Sequence, residues 1–342
     1  IIFSCLLAKS EDWAPKGTIM AFSQLVVPEL TYDFNPVFKS KVSELEVSES
    51  GMEIKPFKSV KEDAFCIILE TGKGFITFDK INGMVSGINF VGKEILKDII
   101  SFQIWRAPVD NDMHISKEWM KHEFHNAVMK VYSCEIIKSD DLEFCAKTSF
   151  SLSGPIVKPV LKGEAKWTIN SKGNMKVDVD IKVREDVPHL PRLGLKLKLA
   201  RTFDRTEYFG YGPNESYIDK HQSSFLGKFS SNVEDMFENY LMPQENGSHF
   251  GTKYLFVSDN NGNGIEISGN EDFSFNISRY TAEMLTKAKH PHELTKDENI
   301  ILSLDHKMGG LGSGSCGPEL LPEYRISEKE IKFVFNFNIK QK

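Results

Sequence analysis

Most of this chain consists of short runs in which polar and apolar residues alternate, separated by glycine, asparagine or proline. Ala64–Glu70 is followed by a Thr-Gly-Lys-Gly turn and then by Phe75–Phe78 and Val85–Phe90. Alternation with a period of two predicts half-buried strands, and the turn residues predict antiparallel neighbours. Helical periodicity is scarce, and only Ser116–Lys121 and Val233–Phe237 are predicted as short helical turns. The pattern therefore argues against βαβ units and predicts an all-β fold.

The same criterion predicts nine further strands, and the composition agrees with them. With 40% hydrophobic and 26% charged residues the chain is typical of a globular protein, and 25 phenylalanines favour β-structure. No internal repeat is evident, so we expect a two-layer or supersandwich β architecture. The further strands are Val128–Ile137, Phe144–Leu152, Leu161–Ile169, Met175–Val183, Leu193–Leu199, Tyr254–Val257, Gly264–Ile267, Ile300–Leu304 and Ile331–Ile339.

Two domains are predicted, at residues 1–50 and 61–342. Near the N-terminus, two apolar runs flank a polar loop at Trp13–Gly17. Two or three strands are too few for an independent core, so we interpret this part as the remnant of a sandwich domain followed by a polar linker between Thr31 and Val60. The first apolar run lacks a basic flank, which favours a strand cut from a preceding domain over a signal peptide.

Charge and cysteine content limit the possible partners. A net charge of -6 and a pI near 5.9 argue against nucleic-acid binding, which requires clustered lysine and arginine. Five cysteines with no C-x-x-C pair indicate neither a disulfide framework nor a zinc site. No apolar stretch approaches the roughly 18 residues of a membrane helix. We therefore expect a soluble chain in the reducing cytoplasm of a bacterium, bound to neither nucleic acid nor membrane.

The segment from Phe102 to Asp112, Phe-Gln-Ile-Trp-Arg-Ala-Pro-Val-Asp-Asn-Asp, is too rich in aromatic and charged residues for ordinary surface. It predicts a shaped site or a buried polar junction formed by Trp105, Arg106, Asp110 and Asp112. A calcium loop beginning at Asp110 would need glycine at its sixth position and glutamate at its twelfth, and this chain has neither. Turn capping by the aspartates and pairing with Arg106 are favoured over a metal.

Asp259–Gly264, Asp-Asn-Asn-Gly-Asn-Gly, matches the first half of a calcium loop more closely. Its twelfth position is Asn270, and the flanking residues alternate as strands do. A tight hairpin turn is therefore predicted here as well, and no metal site is predicted in the chain.

A glycosidase needs two carboxylates, roughly 5–5.5 Å apart in retaining enzymes and about 6.5–9.5 Å apart in inverting ones. Glu215 lies in Tyr208–Tyr217, where aromatic residues beside a carboxylate suit a sugar, and Glu245 lies in a second loop rich in polar residues. These two are the only candidate pair. The alternative is that each caps or pairs locally, because their spacing does not show that they converge.

The segment His306–Pro318 contains five glycines in thirteen residues. Such a backbone can approach a ligand or a neighbouring domain closely. The alternative is a flexible surface loop anchored by apolar runs on both sides.

Six motifs in the same order make the chain resemble the C-terminal part of the large bacterial β-galactosidases of glycoside hydrolase family 2. They are Trp13-Ala-Pro-Lys-Gly17, Phe102–Asp112, Tyr208-Phe-Gly-Tyr-Gly-Pro-Asn-Glu215, Pro243-Gln-Glu-Asn-Gly247, Phe275-Asn-Ile-Ser-Arg-Tyr280 and His306-Lys-Met-Gly-Gly-Leu-Gly312. By this resemblance residues 1–50 end an immunoglobulin-like domain, and residues 61–342 form the small-chain domain, a β-supersandwich similar to galactose mutarotases.

The resemblance implies that the reaction is retaining hydrolysis of terminal β-D-galactosides such as lactose. In the family the catalytic glutamates and the bound magnesium and sodium belong to a TIM barrel, which this chain lacks. We therefore expect no catalytic residue and no cofactor in this chain, and no activity from the chain alone. The implied partners are the barrel portion or a large subunit, the galactoside substrate, and further copies in a homo-oligomer.

The resemblance also implies a substrate contact in the glycine-rich segment. In the family a loop of this kind enters the active site, where many members place a tryptophan on the sugar, and the matching position here is Cys316. A thiol cannot stack on a sugar as an aromatic ring does. The neighbouring residues Ser315 and Gly317 therefore become more important candidates for contact with the sugar. We therefore predict Cys316, Ser315, Gly317 and His306 as substrate-binding residues.

Two other functions stay open at this point. One is a stand-alone aldose-1-epimerase-like enzyme, with an acid and a base drawn from His221 or His249 and from Glu215 or Glu245. The other is a galactoside-binding β-sandwich without turnover, in which Trp105 or Tyr211 would carry the affinity.

Overall fold

The computed structural model describes residues 1–25, 55–72 and 74–341, and the chain divides into two compact units, Ile1–Ser48 and Glu49–Lys342. In the first unit, β1 (Ile2–Leu6) and β2 (Ile19–Gln24) form an antiparallel hairpin. Most of the predicted linker, residues 31–60, lies outside the described residues. The assignment of residues 1–50 to an immunoglobulin-like domain stays a prediction.

The second unit contains seventeen strands within the described residues, and every pairing between them is antiparallel. They are β3 (Ser59–Glu62), β4 (Cys66–Glu70), β5 (Gly74–Asp79), β6 (Met84–Phe90), β7 (Lys93–Leu96), β8 (Ser101–Gln103), β9 (Val128–Ser139), β10 (Glu143–Ser153), β11 (Leu161–Asn170), β12 (Met175–Val183), β13 (Arg192–Leu199), β14 (Arg205–Gly212), β15 (Phe225–Asn232), β16 (Ser248–Ser258), β17 (Asn263–Ser278), β18 (Ile300–Met308) and β19 (Glu330–Gln341).

Helices are short. The two α-helices in the described residues are α1 (Ile115–Lys121) and α2 (Ala282–Lys287). Single 3-10 turns lie at Asp110–Asp112, Phe124–Asn126, Val233–Met236, Pro291–Glu293 and Pro322–Tyr324. None of the described helices has the length and apolar character needed to cross a membrane. The predicted all-β class and both predicted helical turns are confirmed.

The strands form two layers that share β17. One layer runs β3, β4, β5, β6 and β7, continues through β13, which pairs with both β7 and β8, and reaches β18. The other runs β9, β10, β11, β12 and β19, and β16, β14 and β15 extend it from β17. Asn263–Gly269 of β17 pairs with β19, whereas Ser274–Ser278 pairs with β18.

The core lies between the layers. Phe102 of β8 stacks on Phe150 of β10 with ring centroids 4.3 Å apart. The indole Nε1 of Trp167 in β11 donates to the sulfur of Met84 in β6 at 3.4 Å. Along β12 every second residue is buried, as alternation predicts. Burying one such large side chain stabilises the fold by about 1.5–3 kcal/mol, so the facing phenylalanines hold the layers together.

Every strand predicted within the second unit is present, but the structure adds elements that were not predicted. Tyr254–Val257 and Gly264–Ile267 are parts of the longer strands β16 and β17. The hairpin of β14 and β15 was not predicted as a pair of strands, because no residue of β15 is fully buried and its pattern is interrupted by glycine. The Asp259–Gly264 segment joins β16 to β17, which confirms the predicted turn.

Candidate functional site

Residues 309–318, which we call the glycine loop, leave the end of β18 and reach the protein surface. A tight turn forms its tip, where the backbone N–H groups of Cys316 and Gly317 donate to the Ser313 carbonyl at 3.2 and 2.7 Å. Ser315, Cys316 and Gly317 are exposed at this tip. Despite five glycines, the loop is held by side chains from three other places in the second unit.

Asn111 is the first anchor of the loop. Its Oδ1 accepts hydrogen bonds from the Ser315 backbone N–H at 3.1 Å and from the Ser315 hydroxyl at 2.7 Å. Its Nδ2 donates to the Gly312 carbonyl at 2.6 Å. A Cβ on Gly314 would lie 2.6 Å from the Asn111 carbonyl oxygen, so this position requires glycine. Asn111 thus fixes the loop on both sides of its exposed tip.

Arg106 is the second anchor, and only 1% of it is exposed. Its guanidinium donates to the Gly309 and Gly310 carbonyls at 2.6 and 2.9 Å. The same group donates to both carboxylate oxygens of Asp112, at 2.8 and 3.2 Å, and lies 5.6 Å from the Trp119 ring centroid. The Arg106 guanidinium thus bonds to a carboxylate and to two loop carbonyls at once, and these charge-assisted hydrogen bonds fix the base of the glycine loop.

Of the four residues predicted for a polar junction, the structure brings Arg106 and Asp112 into one buried ion pair. Trp105 is buried nearby and its indole Nε1 donates to the Thr286 hydroxyl at 3.1 Å. Asp110, in contrast, is exposed, so it lies outside the buried pair.

Asp219 is the third anchor. Its carboxylate accepts hydrogen bonds from the backbone N–H groups of Leu311 at 2.9 Å and Gly312 at 2.7 Å. Neither Asn111 nor Asp219 was singled out from the sequence. Asn111 lies inside the Asp-Asn-Asp triplet, so its position in an unusual polar motif could have indicated a role. Asp219 follows the tyrosine-rich motif, and no pattern in the neighbouring sequence indicates its role.

Glu215 has local partners. One carboxylate oxygen accepts from the Lys220 ammonium at 2.8 Å and from the Tyr240 hydroxyl. The other accepts from the backbone N–H of Gly247 at 2.9 Å. This last bond brings the Glu215 segment beside the loop that contains Glu245. The local pairing considered as the alternative is therefore present for Glu215.

Glu245 is buried, with 3% of the residue exposed, and one of its oxygens lies 3.4 Å from Arg192. Burial raises the pKa of Glu245, although the Arg192 charge opposes this effect. Arg192 itself forms a fork with Asp305, at 2.9 and 2.7 Å. Burial alone would lower the pKa of Arg192, but the Asp305 and Glu245 carboxylates raise it. These three residues form a second buried ionic cluster.

The predicted histidines lie apart from the loop tip. His306 is buried and stacks on Phe333 with ring centroids 4.8 Å apart. His249 is buried against Phe275, and its Nδ1 lies 3.0 Å from the Tyr208 hydroxyl. Burial lowers the pKa of both His249 and His306 to about 4. Both are therefore neutral near pH 7, and neither can supply a proton readily there.

His221 is half-buried, and its Nδ1 lies 3.0 Å from the Tyr217 carbonyl. The ring packs 4.9 Å from that of Tyr211. The contacts give His221 a structural explanation without a ligand.

Asp259 shows why the calcium-like sequence is a turn. Its Oδ1 accepts from the backbone N–H groups of Asn261 and Asn263 at 2.8 and 2.9 Å, and its other oxygen pairs with Lys93 at 2.5 Å. Within residues 1–25, 55–72 and 74–341, no three histidine, cysteine, aspartate or glutamate side chains are grouped so as to hold a metal ion.

The arrangement at the glycine loop can make hydrogen bonds and thiol contacts with a molecule outside this chain. A hydroxyl, a thiol and backbone groups are exposed on a tip whose base is fixed by Arg106, Asn111 and Asp219. Rigid support of this kind reduces the entropy lost when a ligand binds.

Solved structures with a similar course of the chain include a putative aldose 1-epimerase from Escherichia coli K12, with a TM-score of 0.43 and 8% identity over 83% of this chain and 99% of that one. A galactose 1-epimerase from Lactobacillus acidophilus NCFM has a TM-score of 0.41 and 8% identity, over 81% of this chain and 94% of that one.

Sequence comparison is more specific. Residues 71–339 match the family described as beta galactosidase small chain. The β-galactosidase of Actinobacillus pleuropneumoniae is 35% identical over 316 residues, which cover 92% of this chain and 30% of that protein. The β-galactosidase of Staphylococcus xylosus is 33% identical over 259 residues, which cover 76% of this chain and 26% of that protein. The chain thus spans less than a third of the length of these relatives, and it belongs to the β-galactosidase small-chain family.

Proposed function

We propose that this chain is the C-terminal module of a β-galactosidase that hydrolyses terminal β-D-galactosides such as lactose. Its role is to complete the substrate pocket and the assembly of the enzyme. The observation that carries the proposal is the glycine loop, anchored at three points with Ser315 and Cys316 exposed at its tip. The family match and the coverage of 30% of a related β-galactosidase support it.

The loop is suited to a pocket that it shares with another part of the enzyme. A loop with five glycines would lose much conformational entropy on binding if it were free. Arg106, Asn111 and Asp219 limit that loss before any ligand arrives. The Ser315 hydroxyl and the Cys316 thiol then meet sugar hydroxyl groups, and the turn at Gly317 sets their position. His306 is buried against Phe333, and we assign it no sugar contact.

The covalent step belongs to the partner in this proposal. Retaining hydrolysis needs a nucleophile and an acid/base carboxyl group on either side of the scissile bond. Glu215 is engaged with Lys220, Tyr240 and a backbone N–H, and Glu245 is buried beside Arg192. We therefore assign the catalytic carboxylates, and the magnesium and sodium ions, to a TIM barrel outside this chain.

The remaining expectations follow from the same proposal. The partners are that barrel, as part of the same enzyme or as a large subunit, and further copies in a homo-oligomer. A bacterial cytoplasm is the proposed location, supported by five cysteines that are all unpaired, two of them exposed.

Hydrolysis of o-nitrophenyl β-galactoside tests the proposal. The purified chain is assayed alone and after mixing with the part of the Actinobacillus pleuropneumoniae enzyme that it does not match. We expect no turnover from either part alone and turnover from the mixture. An Asn111→Ala chain should restore less activity than the parent chain, whereas Asn260→Ala, in a distant turn, should restore as much. Turnover by the chain alone that survives repurification, or an inert mixture of folded parts, would overturn the proposal.

A further inference from the structure

Asp219, which holds the glycine loop through two backbone N–H groups, lies in a tight turn formed by residues 217–220. Tyr217 and Lys220 close this turn, because the backbone N–H of each donates to the carbonyl of the other, at 2.8 and 3.0 Å. A Cβ on Gly310 would lie 2.8 Å from the Asp219 carboxylate, so the loop and the turn are in close contact. The position of this turn, which we call the Asp219 turn, therefore determines where the loop is held.

Glu215 binds the Asp219 turn through Lys220. The Lys220 ammonium donates to one carboxylate oxygen of Glu215 at 2.8 Å. The Tyr240 hydroxyl donates to the same oxygen, and the Gly247 backbone N–H donates to the other at 2.9 Å. Hydrogen bonds to an ionised group are stronger than those between neutral groups, and only 9% of Glu215 is exposed to water that would compete for them. The carboxylate thus fixes one end of the turn.

The backbone beside Glu215 is bonded to the sheet. The Ser216 N–H donates to the Ser248 carbonyl at 2.7 Å, and the Phe250 N–H donates to the Ser216 hydroxyl oxygen at 2.9 Å. Ser248 and Phe250 belong to β16. A continuous series of hydrogen bonds therefore runs from β16 through Glu215 to the Asp219 turn, and from that turn to the glycine loop.

We propose that Glu215 is a positioning residue for the glycine loop. Its carboxylate holds Lys220, and Lys220 holds the Asp219 turn where Asp219 meets the N–H groups of Leu311 and Gly312. The positioning is a property of this chain and can be measured without a partner. Its effect on a substrate rests on the proposed function, because only there does the loop contact a sugar.

Hydrogen–deuterium exchange of the chain, read at single residues by mass spectrometry with electron-transfer fragmentation, tests the positioning. In Glu215→Gln, which keeps the size of the side chain and removes its charge, the N–H groups of Leu311 and Gly312 should exchange about tenfold faster, because bonds to a charged group are lost. The N–H of Val177, in the core of β12, reports unfolding of the whole unit and should not change.

Glu266→Gln is the matched control. Glu266 is also 9% exposed and also pairs with one lysine, Lys340, but it lies in β17. This variant should leave the exchange of the two loop N–H groups unchanged. Lys220→Met removes the same ion pair at a side chain that is 51% exposed, and it should reproduce the effect of Glu215→Gln. Circular dichroism establishes which variants are folded, and Lys220→Met decides if Glu215→Gln does not fold.

A double-mutant cycle shows whether Glu215 acts through Asp219. Asp219→Ala removes the bonds to the loop, so adding Glu215→Gln to it should give no further acceleration of exchange at Gly312. Two independent effects would instead multiply. Such multiplication would overturn the proposal, as would unchanged exchange at Leu311 and Gly312 in folded Glu215→Gln. A rise at Val177 as large as that in the loop would assign Glu215 to the stability of the fold alone and would also overturn it.

The effect on a substrate is measured after mixing the chain with the part of the Actinobacillus pleuropneumoniae enzyme that it does not match. Glu215→Gln should raise KM for o-nitrophenyl β-galactoside more than it lowers kcat, because a binding contact is displaced and no reacting group is removed. Faster loop exchange together with an unchanged KM would support the positioning and contradict the proposed sugar contact. Unchanged loop exchange would overturn the positioning itself, whatever the KM.

Discussion

At the scale of single residues, Arg106 connects the fold with the candidate site. The same guanidinium pairs with Asp112 and holds the Gly309 and Gly310 carbonyls. The sequence allowed a buried junction at Arg106 to be predicted, because an arginine among aromatic residues and aspartates is costly on a surface. It did not reveal Asn111, since the amide gains its role only when Ser315, 204 positions away, folds against it.

Replacing Arg106 with leucine should destabilise the protein by about 3–5 kcal/mol, because Asp112 would remain buried without its counter-charge. Urea unfolding measures the free energy of unfolding. Arg205→Leu, at an exposed position, should change it by no more than about 0.5 kcal/mol. The double variant Arg106→Leu/Asp112→Leu should recover part of the loss. A single-variant cost as small as that of Arg205→Leu would contradict this interpretation.

Because His306 is buried, we predict that the free energy of unfolding depends on pH. Burial lowers its pKa from 6.5 to about 4 in the folded state, so the unfolded chain binds more protons between these values. The stability present above pH 6.5 is therefore lost as the pH falls toward 4, at up to about 1.4 kcal/mol per pH unit for one such group. His306→Phe keeps a ring against Phe333 and removes the titration.

The free energy of unfolding of the parent chain and of His306→Phe should be measured at several pH values between 4.5 and 6, a window set by this pKa. We expect a shallower slope for the variant. His114→Phe, which replaces an exposed histidine in the same way, is the matched control. Equal slopes for the parent chain and His306→Phe would show that His306 does not titrate as its burial indicates.

At the scale of elements, strands could be predicted from the sequence where polar and apolar residues alternate. β12 was predicted with its observed bounds because its residues alternate between core and surface. The burial of β14 alternates as regularly, but Gly210 and Gly212 stand at buried positions and Phe209 and Tyr211 at the less buried ones, so its sequence shows no contrast between polar and apolar residues. α2 has only six residues, fewer than two helical turns, so its period could not be recognised. Its start is set by Thr281, whose hydroxyl accepts from the Met284 backbone N–H at 3.2 Å.

A substitution at Gly194 in β13 tests the observed pairing between β13 and β18. It faces Asp305 of β18 at an irregularity in the register, and a Cβ there would lie 2.0 Å from the Leu304 carbonyl oxygen. Gly194→Ala must therefore separate β13 from β18, and we expect a loss of at least about 2 kcal/mol in urea unfolding. At Gly72 an added Cβ meets nothing within 4 Å, so Gly72→Ala should change stability little. Similar losses for both variants would contradict the observed pairing.

At the scale of the whole molecule, the all-β class was predictable but the arrangement of the two layers was not. β17 pairs with β19 through one half and with β18 through the other. These strand pairings are determined by contacts between residues far apart in the sequence. The local alternation of polar and apolar residues therefore does not predict them. The same reason explains why Glu215 and Glu245 could be suggested as a pair from composition, while their actual partners appeared only in the folded chain.

Protection of Cys316 tests most directly the proposed contribution of the glycine loop to a galactoside pocket in a larger enzyme. This chain is fused to the part of the Actinobacillus pleuropneumoniae β-galactosidase that it does not match, and alkylation of each cysteine is followed by peptide mass spectrometry with and without isopropyl β-thiogalactoside. Both Cys316 and Cys5 are exposed in the chain, so Cys5 is the internal control. We predict that the galactoside slows alkylation of Cys316 and leaves Cys5 unchanged. Equal Cys316 rates with and without galactoside, in a fusion that binds it, would contradict this contribution.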